Sequence, residues 1–112
     1  MATVPLQKPA APVSEETLEA RFHRLADLWH AAVAHHSSST IRNNHPAYQE
    51  IIGMGPSVVP LLLADLEKTG RHWFWALKVI TGSNPVPAED RGNIAKVTQA
   101  WLGWGKEQGY RW

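Results

Sequence analysis

The chain has 112 residues, 44% hydrophobic and 19% charged, with 11 Lys and Arg against 10 Asp and Glu. That is one domain with enough apolar mass for a core, so a chain disordered throughout and a pair of ordinary domains are both excluded. A formal net charge of +1 argues against a dedicated electrostatic nucleic-acid binder, and the absence of Cys removes disulfides, thiolate zinc sites and cysteine nucleophiles together.

Residues 1–13 read as an extended arm, because Pro5, Pro9 and Pro12 each deny a helix its backbone donor. The arm carries no long apolar run, so it is not a signal peptide. The longest strongly apolar stretch, Val58 to Ala64, falls far short of the ~20 residues a membrane-spanning helix needs. The expectation is a soluble, cytoplasmic protein.

Ser14 is the expected cap of a first helix, with Glu15 and Glu16 in its first turn. Leu18, Phe22, Leu25, Trp29 and Val33 then recur at helical spacing and predict one apolar stripe running to about His35. Ser37-Ser38-Ser39-Thr40 ends it, since hydroxyls compete locally for the backbone. Pro46 opens a short second helix through Ile52, and Gly53-Met54-Gly55-Pro56 makes a tight corner. Ser57 is the expected cap of a third helix, which Gly70 closes. Arg71 to Thr81 predict a fourth, closed by Gly82. Pro87 opens a fifth, with Glu89 and Asp90 in its first turn and Ile94, Val97, Trp101 and Trp104 as its buried stripe. Gly103, Gly105 and Gly109 predict fraying after about Gly105. No segment alternates with period two, so the fold class is all-α: a single five-helix domain over 14–112. Trp73-Phe74-Trp75 alone fan across roughly 200° of a helix, against the ~100° a surface helix needs. The third and fourth helices are therefore expected at the centre, flanked by the first and fifth.

His45 to Pro60, His72 to Pro87, Asp90-Arg91-Gly92-Asn93 and the run AWLGWGKEQGY together resemble a family of small bacterial proteins over roughly residues 20–110. That family has no activity assigned to it, so the resemblance supplies no catalytic residues. Gly53, Gly55, Pro56 and Pro60, between a helix and a leucine run, are similar to one HEAT-type repeat. The likeness implies a HEAT-like central helical pair, closed off by the flanking helices because one repeat cannot bury a continuous core alone.

Four constellations bear on chemistry. Glu19, His23 and Asp27 share one face of the first helix with His30 nearby, the donor types that grip a divalent cation; a solvated face of local ion pairs explains them as well. His35-His36 beside Ser37 to Thr40 offers a base and hydroxyls, but nucleophilic catalysis also needs an orienting group and an oxyanion site. Asp65 and Glu67 point away from one another on a helix, and Glu89 and Asp90 sit where a helix N-terminus favours acid. Tyr48 to Lys68 superficially reads helix–turn–helix, yet its second helix offers Val58, Val59, Leu61, Leu62 and Leu63 where a DNA reader needs polar residues. Arg71, His72, Lys78, Arg91, Lys96, Lys106 and Arg111, interleaved with Trp, keep phosphate binding and base stacking open.

Six tryptophans in so short a chain remain, and Trp is enriched at interface hot spots. The expected function is a non-catalytic protein–protein interaction module: an adaptor, inhibitor or antitoxin-like partner of another bacterial protein. The alternative is a nucleic-acid-binding accessory protein. The expected partner surface joins Trp73 or Trp75 to Trp104, Tyr110, Arg111 and Trp112, with no cofactor, no catalytic residues and no membrane contact.

Overall fold

The computed structural model describes residues 16–112, which form six α-helices and two 3-10 turns, with no strand among them. The arm over 1–13 and the expected cap Ser14 lie outside the described residues. Helix α1 spans Leu18–Val33 and is capped by Thr17, whose hydroxyl accepts from Ala20 N at 3.0 Å. Glu16 thus precedes the helix. Both of its carboxylate oxygens take Arg24 at 3.0 and 2.9 Å, which holds the carboxyl below its usual range and the guanidinium above its own. Phe22, Leu25, Trp29 and Val33 are buried as their spacing predicts, joined by Ala26, while Leu18 at the helix start is exposed.

A sixth helix accounts for the first departure from the sequence reading. Ser37 to Thr40 does end α1, but Ser38 then caps α2, Ser39–Asn43, by accepting from Ile41 N at 3.4 Å. A hydroxyl that competes with the backbone inside a helix satisfies an orphan amide at its start. Helix α3, Pro46–Ile52, begins on its proline, with His45 Nδ1 accepting from Ala47 N at 3.1 Å.

Gly55 takes φ 75° at the corner, a conformation that costs glycine nothing, and opens a 3-10 turn over Gly55–Val58. This turn leads directly into α4, Val59–Thr69, so Ser57 caps nothing and Pro60 is the second helical residue. It packs on both α3 and α4, the two helices read as a HEAT-like pair. Helix α3 packs chiefly on α1 and also on α5, while α4 packs on α6. Gly70 and Gly82, both left-handed, end α4 and α5 with amides bonded to the Leu66 and Lys78 carbonyls.

Helix α5 starts at Phe74, not Arg71, and runs to Thr81. It is less central than its apolar fan implies: it buries only Ala76 and Leu77 and leaves Trp75 and Val79 exposed. Trp73 precedes the helix at φ −89° and ψ 8°, outside its regular turns, and its ring is buried in the core. Helix α4 is central as expected, with Val59, Leu62, Leu63 and Leu66 buried. Pro87 opens a 3-10 turn over Ala88–Asp90 instead of the last helix. Asn93 caps α6, Ile94–Glu107, through a 3.1 Å bond from Lys96 N, so Ile94 lies exposed in its first turn.

Helix α6 does not fray at Gly105. A Cβ at that glycine would lie 2.7 Å from Leu63 Cδ1 and 3.0 Å from the Trp112 ring, so Gly105 is where α4 and the C-terminal tail come closest. The helix ends in a Schellman motif: Tyr110 N donates to Gly105 O at 3.0 Å and Gly109 N to Lys106 O at 3.1 Å, with Gly109 at φ 86°.

The core is aromatic at its centre. Trp73 lies 4.7 Å from Trp29 and 5.5 Å from both Tyr48 and Phe22, centroid to centroid. Its Nε1–H donates to the buried Asp65 carboxylate at 2.7 Å. Tyr48 ties α3 to the start of α5, donating to His72 O at 3.2 Å and accepting from Ala76 N at 3.0 Å. Burial pushes its hydroxyl far above the ordinary tyrosine range. The Trp73 indole, the Asp65 carboxylate and the Tyr48 hydroxyl each meet a partner in this core, as burial requires.

Candidate functional site

The anchored rings and the Asn84–Val86 loop leave a groove of about 420 Å³ between α2, α5 and the start of α6. Its floor is Val97 and Trp101, and its walls carry the exposed Trp75 and Ile94. Arg42 comes to it from α2, Lys78 from α5, and Arg91 from the turn before α6. Among the described residues no Asp or Glu lines it.

Arg42 is held in place by its surroundings. Its Nη1 donates to the carbonyls of His36 and Ser37 at 3.1 and 3.2 Å, and its own carbonyl accepts Trp29 Nε1–H at 2.8 Å. Nη2 faces His72 Nδ1 at 3.5 Å, and Nε is buried with no acceptor. Burial and then the neighbouring Arg42 charge hold the His72 imidazole below its usual pKa, so at neutral pH it is an uncharged acceptor. The guanidinium charge is thus hydrogen-bonded but not neutralised. Lys78 leans its ammonium over Trp75, 5.9 Å from the ring centroid.

Several other cations are paired with carboxylates. Arg21 pairs with Glu50, Arg24 with Glu16, Arg71 with Asp27 and more distantly Asp65, and Lys96 with Asp90. Arg42, Lys78 and Arg91 form no ion pair among the described residues and converge on one apolar groove. Asp90, adjacent in sequence to Arg91, faces a different hollow together with Lys96.

The residues expected to form one partner surface separate. Trp73 is fully buried and cannot present its ring to a partner, whereas Trp75 stands 44% exposed on the groove. Trp104 packs edge-on to Trp101 at 5.3 Å and faces Tyr110 at 5.7 Å. Trp112 donates to Glu67 Oε1 at 2.9 Å. Trp104, Tyr110 and Trp112 therefore pack back onto α4 and α6; Arg111 stays exposed, and none of these four lines the groove around Trp75.

The other candidates also disperse. His23 lies 3.8 Å from Glu19, Asp27 is engaged by Arg71, and His30 stacks beside Trp29, so no group of three metal-ligating side chains forms among the described residues. His36 supplies a carbonyl to Arg42, and Ser38 supplies a cap. Asp65 accepts from Trp73 and Thr69 in the core, and Glu67 takes the Trp112 indole. Of the basic residues read for phosphate binding, His72, Lys78 and Arg91 line the groove, while Arg71, Lys96, Lys106 and Arg111 do not. Among the described residues no helix is long and apolar enough to cross a membrane. Comparison with protein-family models, curated proteins and solved structures finds no match to this chain.

Arg42 is the site residue that sequence reasoning missed. It sits between a hydroxyl run and Asn43-Asn44-His45-Pro46, which together read as loop. Recognising Ser38 as a cap supplies the missing signal, since a capped turn there fixes where Arg42 points.

Proposed function

We propose that this protein is a non-catalytic interaction module that docks a segment of another protein in the groove between α2, α5 and α6. The observation that carries the reading is the exposed Trp75 at the edge of an apolar hollow, surrounded by Arg42, Lys78 and Arg91. Large rings with a polar handle, flanked by arginine, are the residue types on which binding energy concentrates at protein interfaces. A folded core already holds Arg42 and the groove floor in place, so little ordering cost falls on this side of the complex. Helices α3 and α4, linked through the Gly55–Val58 turn that packs on both, serve in this reading as scaffold.

The test is capture from the cells the protein comes from, using the tagged full chain beside two variants. Wild type is expected to hold a stoichiometric protein partner. Trp75→Ala should lose it at unchanged melting temperature, and Lys106→Glu, outside the groove, should keep it. Retention by Trp75→Ala contradicts the assignment of the groove. Capture of nucleic acid alone, with affinity collapsing as salt is added, favours the nucleic-acid reading instead.

A further inference from the structure

We infer that the occupant of this groove is an acidic peptide segment: one apolar or aromatic side chain seated between Trp75 and Ile94, with carboxylates on either side meeting Arg42, Lys78 and Arg91. This inference rests on the interaction reading above and names the chemistry of its partner.

The charge pattern selects the partner. Arg21, Arg24, Arg71 and Lys96 each find a carboxylate within 4.0 Å, while Lys68, Lys106 and Arg111 find none among the described residues and do not line the groove. Arg42, Lys78 and Arg91 come from three separate elements and are left together without one. Three like charges around a concave apolar surface repel one another, and a partner bringing carboxylates relieves that repulsion. Arg42 is already held by the carbonyls of His36 and Ser37 and by His72, so it presents a fixed, un-neutralised positive charge to an incoming carboxylate.

The apolar part selects against nucleic acid. A single strand needs a cationic track for repeating phosphates and several rings for successive bases. Here Trp75 is the one exposed ring, with Phe74 and His72 half-buried beside it, and Val86, Ile94 and Val97 add aliphatic surface that suits a Leu, Ile or Phe side chain. Other basic residues do not extend the cluster at the groove, since Arg71 and Lys96 are paired elsewhere and Lys68, Lys106 and Arg111 do not line it.

Selection of short random peptides displayed on phage against the immobilised full chain tests this, with Trp75→Ala and a Lys78→Glu/Arg91→Glu double variant alongside. The selected peptides should combine Asp or Glu with a large apolar residue. A synthetic copy of the best one should bind wild type at least roughly ten-fold more tightly than either variant. Circular dichroism and melting of the variants should match wild type, since all three residues lie at the surface of the groove. Peptides without an acidic excess that still depend on Trp75 overturn the acidic occupant but leave the interaction reading intact. Peptides indifferent to every groove substitution, or no peptides at all, overturn both. An oligothymidylate that competes for the groove with the steep salt dependence of phosphate binding also overturns the acidic-peptide assignment.

Discussion

Single side chains decide what is core and what is surface here. Two tryptophans, two residues apart, have opposite fates because Trp73 stands before α5 and Trp75 lies within it. The Trp73 indole also neutralises a problem, giving the buried Asp65 carboxylate a 2.7 Å donor. Trp73→Phe keeps most of the ring contact and removes that donor. It should cost about 1–3 kcal/mol in chemical denaturation, the penalty for leaving a buried acceptor short of a partner. His72 gives a pH-dependent counterpart. Its folded pKa lies below the ordinary histidine value of 6.5, so the unfolded chain binds the proton more readily. Its contribution to stability is therefore complete above pH 6.5 and is lost as pH falls from there through the depressed folded value. His72→Asn keeps an acceptor for Arg42 and cannot titrate, so its melting temperature should fall less steeply than wild type below pH 6.5. Parallel curves would show that this imidazole does not contribute.

At the scale of elements, periodicity carried most of the information. The buried stripe of α1, the left-handed glycines ending α4 and α5, and the proline start of α3 are all local devices, and local devices are readable without the fold. The remainder depended on neighbours. Gly105 looks like a helix weakener in sequence and becomes a contact point only when Leu63 and Trp112 are placed beside it. Likewise Gly109 reads as a loosening of the tail, yet it fixes the tail by closing the Schellman motif. Of the tail residues that sequence reasoning offered to a partner, Tyr110 and Trp112 pack onto the protein itself, while Arg111 stays exposed. Deleting Gln108 to Trp112 strips the Trp112 indole from Glu67 and Tyr110 from Trp104. A loss of about 2 kcal/mol of packing follows, which lowers Tm by something on the order of 10 °C. Partner capture, measured well below the new Tm, should survive. Capture lost together with an unchanged Tm would restore the tail as the interface.

On the whole-molecule scale the fold divides its aromatic residues into three jobs. Phe22, Trp29, Tyr48 and Trp73 build the centre, Trp101, Trp104, Tyr110 and Trp112 seal the α4–α6 end, and Trp75 faces outward on the groove with Phe74 half-buried beside it. Charge is divided similarly, with Arg21, Arg24, Arg71 and Lys96 paired over the outer surface and Arg42, Lys78 and Arg91 gathered without a carboxylate around one groove. The fold class and the tryptophan surplus were legible in the sequence. Convergence of Arg42, Lys78 and Arg91 was not, because it joins positions far apart along the chain and hinges on a helix of five residues. Indole and guanidinium N–H signals in a proton–nitrogen correlation spectrum, recorded while a selected acidic peptide is added to the full chain, test that convergence most directly. The Trp75 indole and the Arg42 and Arg91 side-chain signals should shift together and saturate together, with the Trp104 and Trp112 indoles unmoved. Shifts confined to Trp104, Trp112 and the tail, with Trp75 unchanged, would contradict it.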